Sequence, residues 1–293
     1  MSQGLRLGVV GNCQGPLWVQ ALSLMLPGAE VRLLWDGTAN ATPVAFLESV
    51  AHGIDRVIMM EWTDLSLAPE LNDAIRDRVT TVPSIVFPAF HPDITFLQHA
   101  GAVIASGQGQ GADWNSRIIA WAYLTGRPRR VARELLRDET FRVLGYYGQW
   151  DESCEHMRTA TTRCGLHFET WLDRSLSTGV FMHGWIHPRS IAVAALAHQL
   201  VGRDFAPAAM SAAVAERYMN DPWTNYVWPV YPEIALALGV EGSSLFKCGE
   251  QVDDFDSFTD KCYDAWKARG LTEAEFGTGT GFEETDRLLA PLA

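Results

Sequence analysis

Short apolar runs and segments with a helical repeat alternate along the first hundred residues. The strand-like runs are LRLGVVG, EVRLLW, DRVIMMEW and VPSIVF, and the helix-like segments between them are PLWVQALSLML, PVAFLESVAHG and APELNDAIRD. Strands that alternate with helices over short links indicate a parallel sheet with helices on both faces. We therefore predict an α/β fold, with a Rossmann-like or flavodoxin-like lobe over residues 1–110.

The pattern changes after this lobe, because the helical segments become longer and β-branched runs become rare. The predicted helices cover residues 128–138, much of 151–174, 189–200 and 207–219. The proline- and aromatic-rich stretch 221–233 excludes a regular helix. The Gly/Thr-rich stretch FGTGTGFEE is interpreted as a mobile segment before a short C-terminal helix. We predict a mainly α-helical lobe over residues 111–293, packed against the first lobe, with a site in the crevice between them.

Composition and charge narrow the function classes. The chain is 47% hydrophobic and 20% charged, which is ordinary for a globular protein, and its net charge of −12 argues against a nucleic-acid partner. The sequence has no run of about 18 apolar residues, so it predicts no membrane span. The start MSQGLRL lacks the apolar core of a secretory signal, and the five cysteines are odd in number and irregularly spaced. These features predict a cytoplasmic protein with reduced thiols.

The sequence GNCQ follows the first predicted strand and precedes the first predicted helix. Ligands of doubly wound sheets bind at this position, where a helix N-terminus offers unpaired N–H groups to an anion. A cysteine at a helix N-terminus tends to have a lowered pKa, so Cys13 is a candidate nucleophile, and Asn12 and Gln14 add amide donors. The alternative is a small buried cysteine between amides that satisfy turn carbonyls.

Two histidines lie at comparable positions in the chain. His91, in FHPD, follows the fourth predicted strand, so it is a candidate general base or acid, with Asp93 to orient the ring or to cap the next segment. His187, in WIHP, precedes a predicted helix and is a candidate for the same role, whereas His183 is interpreted as structural. For each histidine the alternative is a structural ring held by a local turn or a backbone partner.

Three further patterns bear on ligand binding. Ser116 and Arg117 begin a predicted helix after a glycine-containing loop, and a hydroxyl and a guanidinium there suit phosphate oxygens. The basic cluster is either a phosphate site or a solvated helix start, and its members are Arg127, Arg129 and Arg130. The spacing C-x-H…C-x₂-H resembles a zinc site only weakly, because the first pair lies on different faces of a helix. We therefore predict no metal.

Several stretches together resemble the WcbI-type polysaccharide-biosynthesis family. GNCQ, FHPDITF and WIHP occur in this order in the family, and DWNSRIIAWAYLTGRP and WPVYPEIALALGV are similar to its later segments, so the resemblance covers about residues 5–250. The sequence departs from the family pattern at Ile186, where the family more often has an asparagine before the late His-Pro pair.

The resemblance implies an enzyme that uses coenzyme A (CoA) and acetylates a saccharide hydroxyl during capsule or exopolysaccharide assembly. Acetyl-CoA would be the co-substrate, and the saccharide would be the acceptor. The residues assigned to catalysis are Cys13, His91 and His187. The residues that the resemblance assigns to CoA binding are Gly11, Asn12, Gln14 and Ser116, and Arg117 is added on the strength of its charge.

The order of the chemical steps stays open at this point. Either Cys13 takes the acetyl group as a thioester, or a histidine activates the hydroxyl directly while the 11–15 loop holds the oxyanion. Two other function classes remain, a cysteine-centred esterase similar to the SGNH hydrolases and a non-catalytic protein that binds CoA or a sugar. The oligomeric state is also open, with a homo-oligomer among the alternatives.

Overall fold

The computed structural model of the chain describes residues 4–35, 53–61, 77–107, 113–205 and 207–293. It contains two compact units, each assembled from segments that are distant in sequence. Unit 1 comprises Met1–Val86, Cys154–Met182 and Ile186–Pro222, and unit 2 comprises Phe87–Ser153, His183–Trp185 and Trp223–Ala293. The predicted division into lobes at 1–110 and 111–293 stays a prediction.

The described helices and strands are numbered here in chain order. The helices are α1 (Gly15–Met25), α2 (Arg117–Leu124), α3 (Arg129–Glu134), α4 (Asp138–Val143), α5 (Gln149–Arg163), α6 (Phe168–Leu176), α7 (Ser190–Asp204), α8 (Ala212–Glu216), α9 (Pro232–Leu238), α10 (Phe255–Ala268) and α11 (Phe282–Leu289). The strands are β1 (Arg6–Val10), β2 (Glu30–Trp35), β3 (Arg56–Met60), β4 (Val79–Val82), β5 (Ile94–His99), β6 (Ala102–Ile104), β7 (Trp114–Ser116), β8 (Met182–Gly184), β9 (His187–Pro188), β10 (Tyr226–Val227), β11 (Phe246–Cys248), β12 (Gln251–Asp253) and β13 (Glu275–Phe276).

Unit 1 is built on a parallel sheet with the strand order β2-β1-β3-β4. In the centre of the sheet, Leu7 of β1 lies opposite Val31 of β2 and Arg56 of β3. The β1 side chains of Leu7, Val9 and Val10 are fully buried, as expected of a strand covered on both faces. The sheet, together with the helical remainder of the chain, confirms the predicted α/β fold class. The predicted helices PVAFLESVAHG and APELNDAIRD lie outside the described residues, apart from their last residues.

The fourth strand differs from its prediction. The ladder to β3 uses β4, Val79–Val82, whereas the apolar run VPSIVF was predicted to be the strand. Pro83 has no N–H to donate to a ladder, so the pairing ends before it. The apolar pattern reflects burial instead, because Ile85 and Phe87 are fully buried although they lie beyond the strand.

Unit 2 contains small antiparallel sheets that the sequence did not predict. One has the order β13-β5-β6 with β7 also paired to β5, and another has the order β10-β11-β12. Its aromatic core includes the stacked rings of Phe246 and Phe258, whose centroids are 3.9 Å apart, with the Trp228 ring edge-on to both. The strands have only two to six residues, which is too short for their alternation to stand out from the surrounding helices.

The Gly/Thr-rich stretch near the C-terminus lies beside β5 in unit 2. The N–H of Gly277 donates to the carbonyl of Phe96 at 2.8 Å, and the hydroxyl of Thr278 donates to the carbonyl of Ile94 at 3.3 Å. The short C-terminal helix predicted after it is confirmed as α11. Across the described residues, no helix has the length and apolar character needed to cross a bilayer.

Candidate functional site

The GNCQ loop connects β1 to α1 through two turns made by Asn12. The N–H of Gln14 donates to Asn12 Oδ1 at 2.9 Å, and the N–H of Gly15 donates to the Asn12 carbonyl at 2.8 Å. These are the bonds of an Asx turn and a tight backbone turn. Gly11 precedes them in contact with Met60, where a Cβ atom would lie 2.6 Å from the methyl carbon of that side chain. The loop is therefore fixed by its own sequence.

Gln14 ties this loop to two other segments of unit 1. The side chain is fully buried, and its amide donates from Nε2 to the carbonyl of Ile85 at 2.8 Å while Oε1 accepts from the Ile85 N–H at 3.0 Å. Nε2 also donates to the carbonyl of Ile186 at 3.0 Å. Since Ile186 immediately precedes His187, the structure brings the GNCQ loop and the His187 segment together. The contact uses the Ile186 backbone, so it does not depend on the side chain at that position.

Cys13 is half-buried, and its thiol differs from the sequence-based expectation. Burial raises the pKa of Cys13 to about 11, although a bond from its own backbone opposes the shift. The N-terminus of α1 stabilises the thiolate only weakly, because Asn12 already engages the N–H groups of Gln14 and Gly15. The loss of hydration on burial disfavours the thiolate by more than this. In this structure the thiol is therefore protonated at neutral pH.

The loop still offers a hydrogen-bond donor next to the thiol. Among the described residues, the Nδ2 group of Asn12 has no acceptor, whereas the N–H of Cys13 donates to its own sulfur. The Asn12 side-chain amide is therefore the donor best suited to the predicted oxyanion-binding role, since the N–H groups of Gln14 and Gly15 are engaged.

His91 lies in unit 2 after a short 3₁₀ turn, Pro88–Phe90, and its side chain is buried. The His91 N–H donates to the carbonyl of Pro88 at 2.8 Å, and the ring Nδ1 lies 3.0 Å from the carbonyl oxygen of Pro229. A carbonyl only accepts hydrogen bonds, so the neutral ring carries its hydrogen on Nδ1 and its lone pair on Nε2. This is the tautomer that a general base acting through Nε2 requires.

Asp93 anchors the loop that carries His91. Its carboxylate accepts from the hydroxyls of Tyr146 and Tyr231, each at 2.8 Å, and from the N–H of Ile118 at 3.2 Å. The side chain of Ser116 adds a further bond. Complete burial nevertheless raises the pKa of Asp93, against the effect of these donors. Asp93 therefore holds the loop against α2, a role that its position in the sequence only suggested.

Ser116 and Arg117 have partners within unit 2. The Ser116 hydroxyl caps α2 by accepting from the N–H of Ile119 at 3.2 Å. The buried guanidinium of Arg117 donates to the carbonyls of Thr278 and Thr280, and it lies over the ring of Phe276. Both side chains thus organise unit 2, and their assignment to CoA phosphates stays a prediction.

A cavity of about 110 Å³ in unit 2 lies next to His91. Its lining residues come from the His91 loop, α2, the turn before α5, the segment ahead of His187 and the Gly/Thr-rich stretch. They are Pro88, His91, Pro92, Ile94, Arg117, Leu144, Tyr146, Gln149, Trp185, Thr278, Gly279 and Thr280. The cavity thus combines the predicted base with a cation, hydroxyls and apolar walls.

The remaining histidines are placed in different units. His187, in unit 1, is half-buried in β9 just ahead of α7. His183, in unit 2, is buried, and its carbonyl accepts from the N–H of Trp228 at 2.8 Å. Unit 1 therefore holds Cys13 and His187, and unit 2 holds His91.

Two arginines of the basic cluster form ion pairs, Arg129 with carboxylates of α10 and Arg130 with a carboxylate of its own helix α3. Arg129 contacts Asp260 at 3.2 Å and also pairs with Asp264, and Arg130 lies 3.7 Å from Glu134. The guanidinium of Arg127 stacks over the ring of Trp121. These contacts match the solvated-helix interpretation. For the zinc pattern, the described residues contain no group of three or more histidine, cysteine or acidic side chains that could hold a metal ion.

Sequence reasoning missed the residues that complete the surroundings of His91. Tyr146 and Tyr231 lie 53 and 138 positions from Asp93, and no local pattern marks either. The Gly/Thr-rich stretch carried a signal, since alternating Gly and Thr suits close approach to another group, but it was interpreted as mobile. Trp185 is the first residue of the WIHP stretch, but no role is predicted for it from the sequence.

The comparisons with known proteins identify a family and a shared fold. A family model described as "Polysaccharide biosynthesis enzyme WcbI" matches residues 6–203. A solved structure of WcbI, described as a novel polysaccharide biosynthesis enzyme in a native form without a disulfide bond between CoA and a cysteine, has a TM-score of 0.67 to this chain at 12% identity. The match covers 98% of this chain and 96% of that one, and at this identity it shows a shared fold. Among proteins with curated descriptions, none matches the sequence.

Proposed function

The chain belongs to the WcbI family of polysaccharide biosynthesis enzymes, and on that premise we propose that it is a CoA-dependent O-acetyltransferase. It moves an acetyl group from acetyl-CoA to a saccharide hydroxyl during the assembly of a capsular or exopolysaccharide. Because acetyl-CoA and reduced thiols are both at hand in the cytoplasm, we place the reaction there.

One observation carries the proposal: a half-buried cysteine follows a central strand and lies next to the Asn12 side-chain amide, which has no acceptor among the described residues. The WcbI structure with the same fold is described with reference to a disulfide between CoA and a cysteine. A CoA thiol beside Cys13 would place the thioester carbonyl of acetyl-CoA near the Asn12 side-chain amide. This donor suits the negative charge that develops on that oxygen.

The transfer step needs a base for the saccharide hydroxyl. His91 is the better candidate, because the Pro229 carbonyl holds its hydrogen on Nδ1 and leaves the lone pair on Nε2. Nε2 takes the hydroxyl proton while the hydroxyl oxygen forms a bond to the acetyl carbonyl carbon. The C–S bond then breaks, the CoA sulfur leaves with the electron pair, and it takes up a proton as free CoA.

The pKa of Cys13 bears on the choice between the two routes. With a pKa of about 11, only a very small fraction of the thiol is ionised at neutral pH, so it is a weak nucleophile. This supports direct attack by the hydroxyl, with Cys13 as a wall of the CoA site and not as an acetyl carrier. His187, near the same loop in unit 1, then serves to shape that site.

Thermal unfolding with and without CoA tests the binding step. CoA at about 100 times its Kd should stabilise the folded chain by about 2.7 kcal/mol and raise Tm, whereas ADP and pantetheine should each raise it less. The measurement is made with a reductant, so that a disulfide cannot contribute. A Tm unchanged by CoA, together with turnover of an aryl ester, would replace the transferase proposal with a hydrolase.

A further inference from the structure

The side chain of Gln14 uses both of its hydrogens inside the fold of unit 1. Nε2 donates one hydrogen to the carbonyl of Ile85 at 2.8 Å and the other to the carbonyl of Ile186 at 3.0 Å. Oε1 accepts from the N–H of Ile85 at 3.0 Å, so only this orientation of the amide gives every contact a donor and an acceptor. The side chain is also fully buried. A direct hydrogen bond from Gln14 to CoA would therefore have to break one of these bonds.

The segment around His187 is held on both sides within the same unit. On one side the carbonyl of Ile186 is fixed by the bond just described, and on the other the N–H of Arg189 donates to the carbonyl of Phe181 at 2.8 Å. Between them, Pro188 restricts the backbone of His187 to extended conformations, because the proline ring clashes with a helical residue before it. His187 and Pro188 accordingly form the strand β9. The backbone at His187 thus has little freedom once the Ile186 carbonyl is held.

The Cys13 loop is equally fixed at the other end of this link. Asn12 closes its turn on the N–H of Gln14 at 2.9 Å, and Gln14 has the helical angles φ −84° and ψ −13° directly before α1. Cys13 lies between these two residues in the sequence, so its backbone is held on both sides as well. One side chain, that of Gln14, therefore joins the Cys13 loop directly to the segment that carries His187.

We propose that Gln14 is a positioning residue, which does not contact CoA but sets the place of the His187 segment against the Cys13 loop. The two segments are then two walls of one ligand site, and their spacing depends on the bond from Gln14 to the Ile186 carbonyl. The inference rests on the proposed function for the identity of the ligand as CoA. Loss of the bond weakens CoA binding, although the lost atoms touch no ligand, and it loosens the His187 segment even when no ligand is present.

Hydrogen exchange with mass spectrometry measures the link, and calorimetric titration with CoA measures its consequence. The reporter is the N–H of Arg189, compared without ligand in the Gln14→Leu and Gln20→Leu chains at a temperature at which both are folded. Gln20 is the matched control, because it makes the same reciprocal pair with the backbone of Asn220 at the surface of unit 1. The peptides of α10, in unit 2, are the internal reference, since a general loss of stability would accelerate their exchange as well.

The expected result is an exchange rate at Arg189 about tenfold higher in Gln14→Leu, with α10 unchanged, and a Kd for CoA that is also about tenfold higher. Gln20→Leu should change neither quantity. Weaker CoA binding with unchanged exchange at Arg189 would mean that Gln14 contacts CoA directly, and it would overturn the inference. Faster exchange with an unchanged Kd, or equal acceleration in α10, would overturn it too, because Gln14 would then have only a structural role.

The unchanged chain decides the matter if Gln14→Leu does not fold. CoA should then slow exchange at Arg189 as well as in the 11–15 loop, and protection of the loop alone would reject the inference. If CoA neither binds nor stabilises the unchanged chain, the transferase proposal fails. In that case faster exchange at Arg189 in ligand-free Gln14→Leu still supports the positioning role, and an unchanged rate rejects it as well.

Discussion

His91 and Pro229 are joined by a hydrogen bond in which the ring Nδ1 donates to the carbonyl oxygen at 3.0 Å. The two residues are 138 positions apart, so the tertiary fold of unit 2 sets the tautomer of the histidine. Asp93, two residues further on, is held by two tyrosine hydroxyls, and this fixes the loop from its other end. A base oriented in this way loses little freedom when it accepts a proton.

Alkylation of Cys13 should be slow at neutral pH and should accelerate as the pH rises. Burial raises the pKa to about 11, so the thiolate fraction increases about tenfold per unit between pH 7 and pH 9. The rate is followed with iodoacetamide by peptide mass spectrometry, with Cys13→Ala to identify the adduct. A rate that levels off below pH 8 would mean that the thiol is activated, and it would favour the covalent route.

Replacement of Gln14 by Leu should lower the free energy of unfolding by about 2–4 kcal/mol, because it leaves buried backbone groups of Ile85 and Ile186 unpaired. Gln20 is the matched control: it makes the same reciprocal pair with the backbone of Asn220, but at the surface. Gln20→Leu should cost less than about 1 kcal/mol, since water replaces the lost bonds. Both free energies of unfolding are measured with urea. Equal losses for the Gln14→Leu and Gln20→Leu variants would show that burial does not set the size of the effect.

Tyr146→Phe should destabilise the chain by about 1–3 kcal/mol, because it removes one of the donors to the buried Asp93 carboxylate. The neighbouring Tyr147 donates to Asp138 at 2.6 Å in an exposed hydrogen bond, so Tyr147→Phe serves as its control and should have little effect. Both are compared by the midpoint of urea unfolding. A larger loss of stability for Tyr147→Phe than for Tyr146→Phe would contradict the stabilising role given to the buried bond between Tyr146 and Asp93.

Gly279→Ala should cost more stability than Gly270→Ala. Both glycines have φ near +65°, so each alanine carries the same backbone strain of about 1 kcal/mol. Only at Gly279 would the new Cβ overlap a neighbour, the pinned guanidinium of Arg117, whereas nothing lies within 4 Å of a Cβ at Gly270. The difference in Tm between the variants measures this contact, and equal values would show that the stretch moves away from Arg117 freely.

Local patterns predicted the sheet of unit 1 well, because strand–helix alternation and buried β-branched runs are properties of contiguous sequence. The predicted position of the fourth strand was wrong, because the run VPSIVF is apolar where it is buried and not where it pairs with β3. The backbone of Ile85 bonds to the Gln14 side chain and not to a neighbouring strand. No single-sequence pattern reports such a bond across 71 positions.

The candidate site was located only in part. The position of Cys13 between a strand and a helix could be predicted, but its pKa could not, since hydration depends on what covers the thiol. Arg117 was predicted to bind phosphate from its charge, and its contacts with the Thr278 and Thr280 carbonyls depend on a stretch more than 160 positions away. Long-range contacts of this kind decided the local chemistry in each case.

The central claim is that His91 is the base of an acetyl transfer from acetyl-CoA to a saccharide. Its most direct test is the rate of CoA release from acetyl-CoA with the methyl glycosides of glucose, galactose and mannose as acceptors, measured for the His91→Gln and His99→Gln variants. His99 is exposed and lies 3.9 Å from Glu273, so its replacement should leave the rate within about twofold. Loss of a general base should lower kcat of His91→Gln by about 10²–10⁴-fold, while stabilisation by CoA is retained. A His91→Gln enzyme as fast as the His99→Gln enzyme would contradict the account.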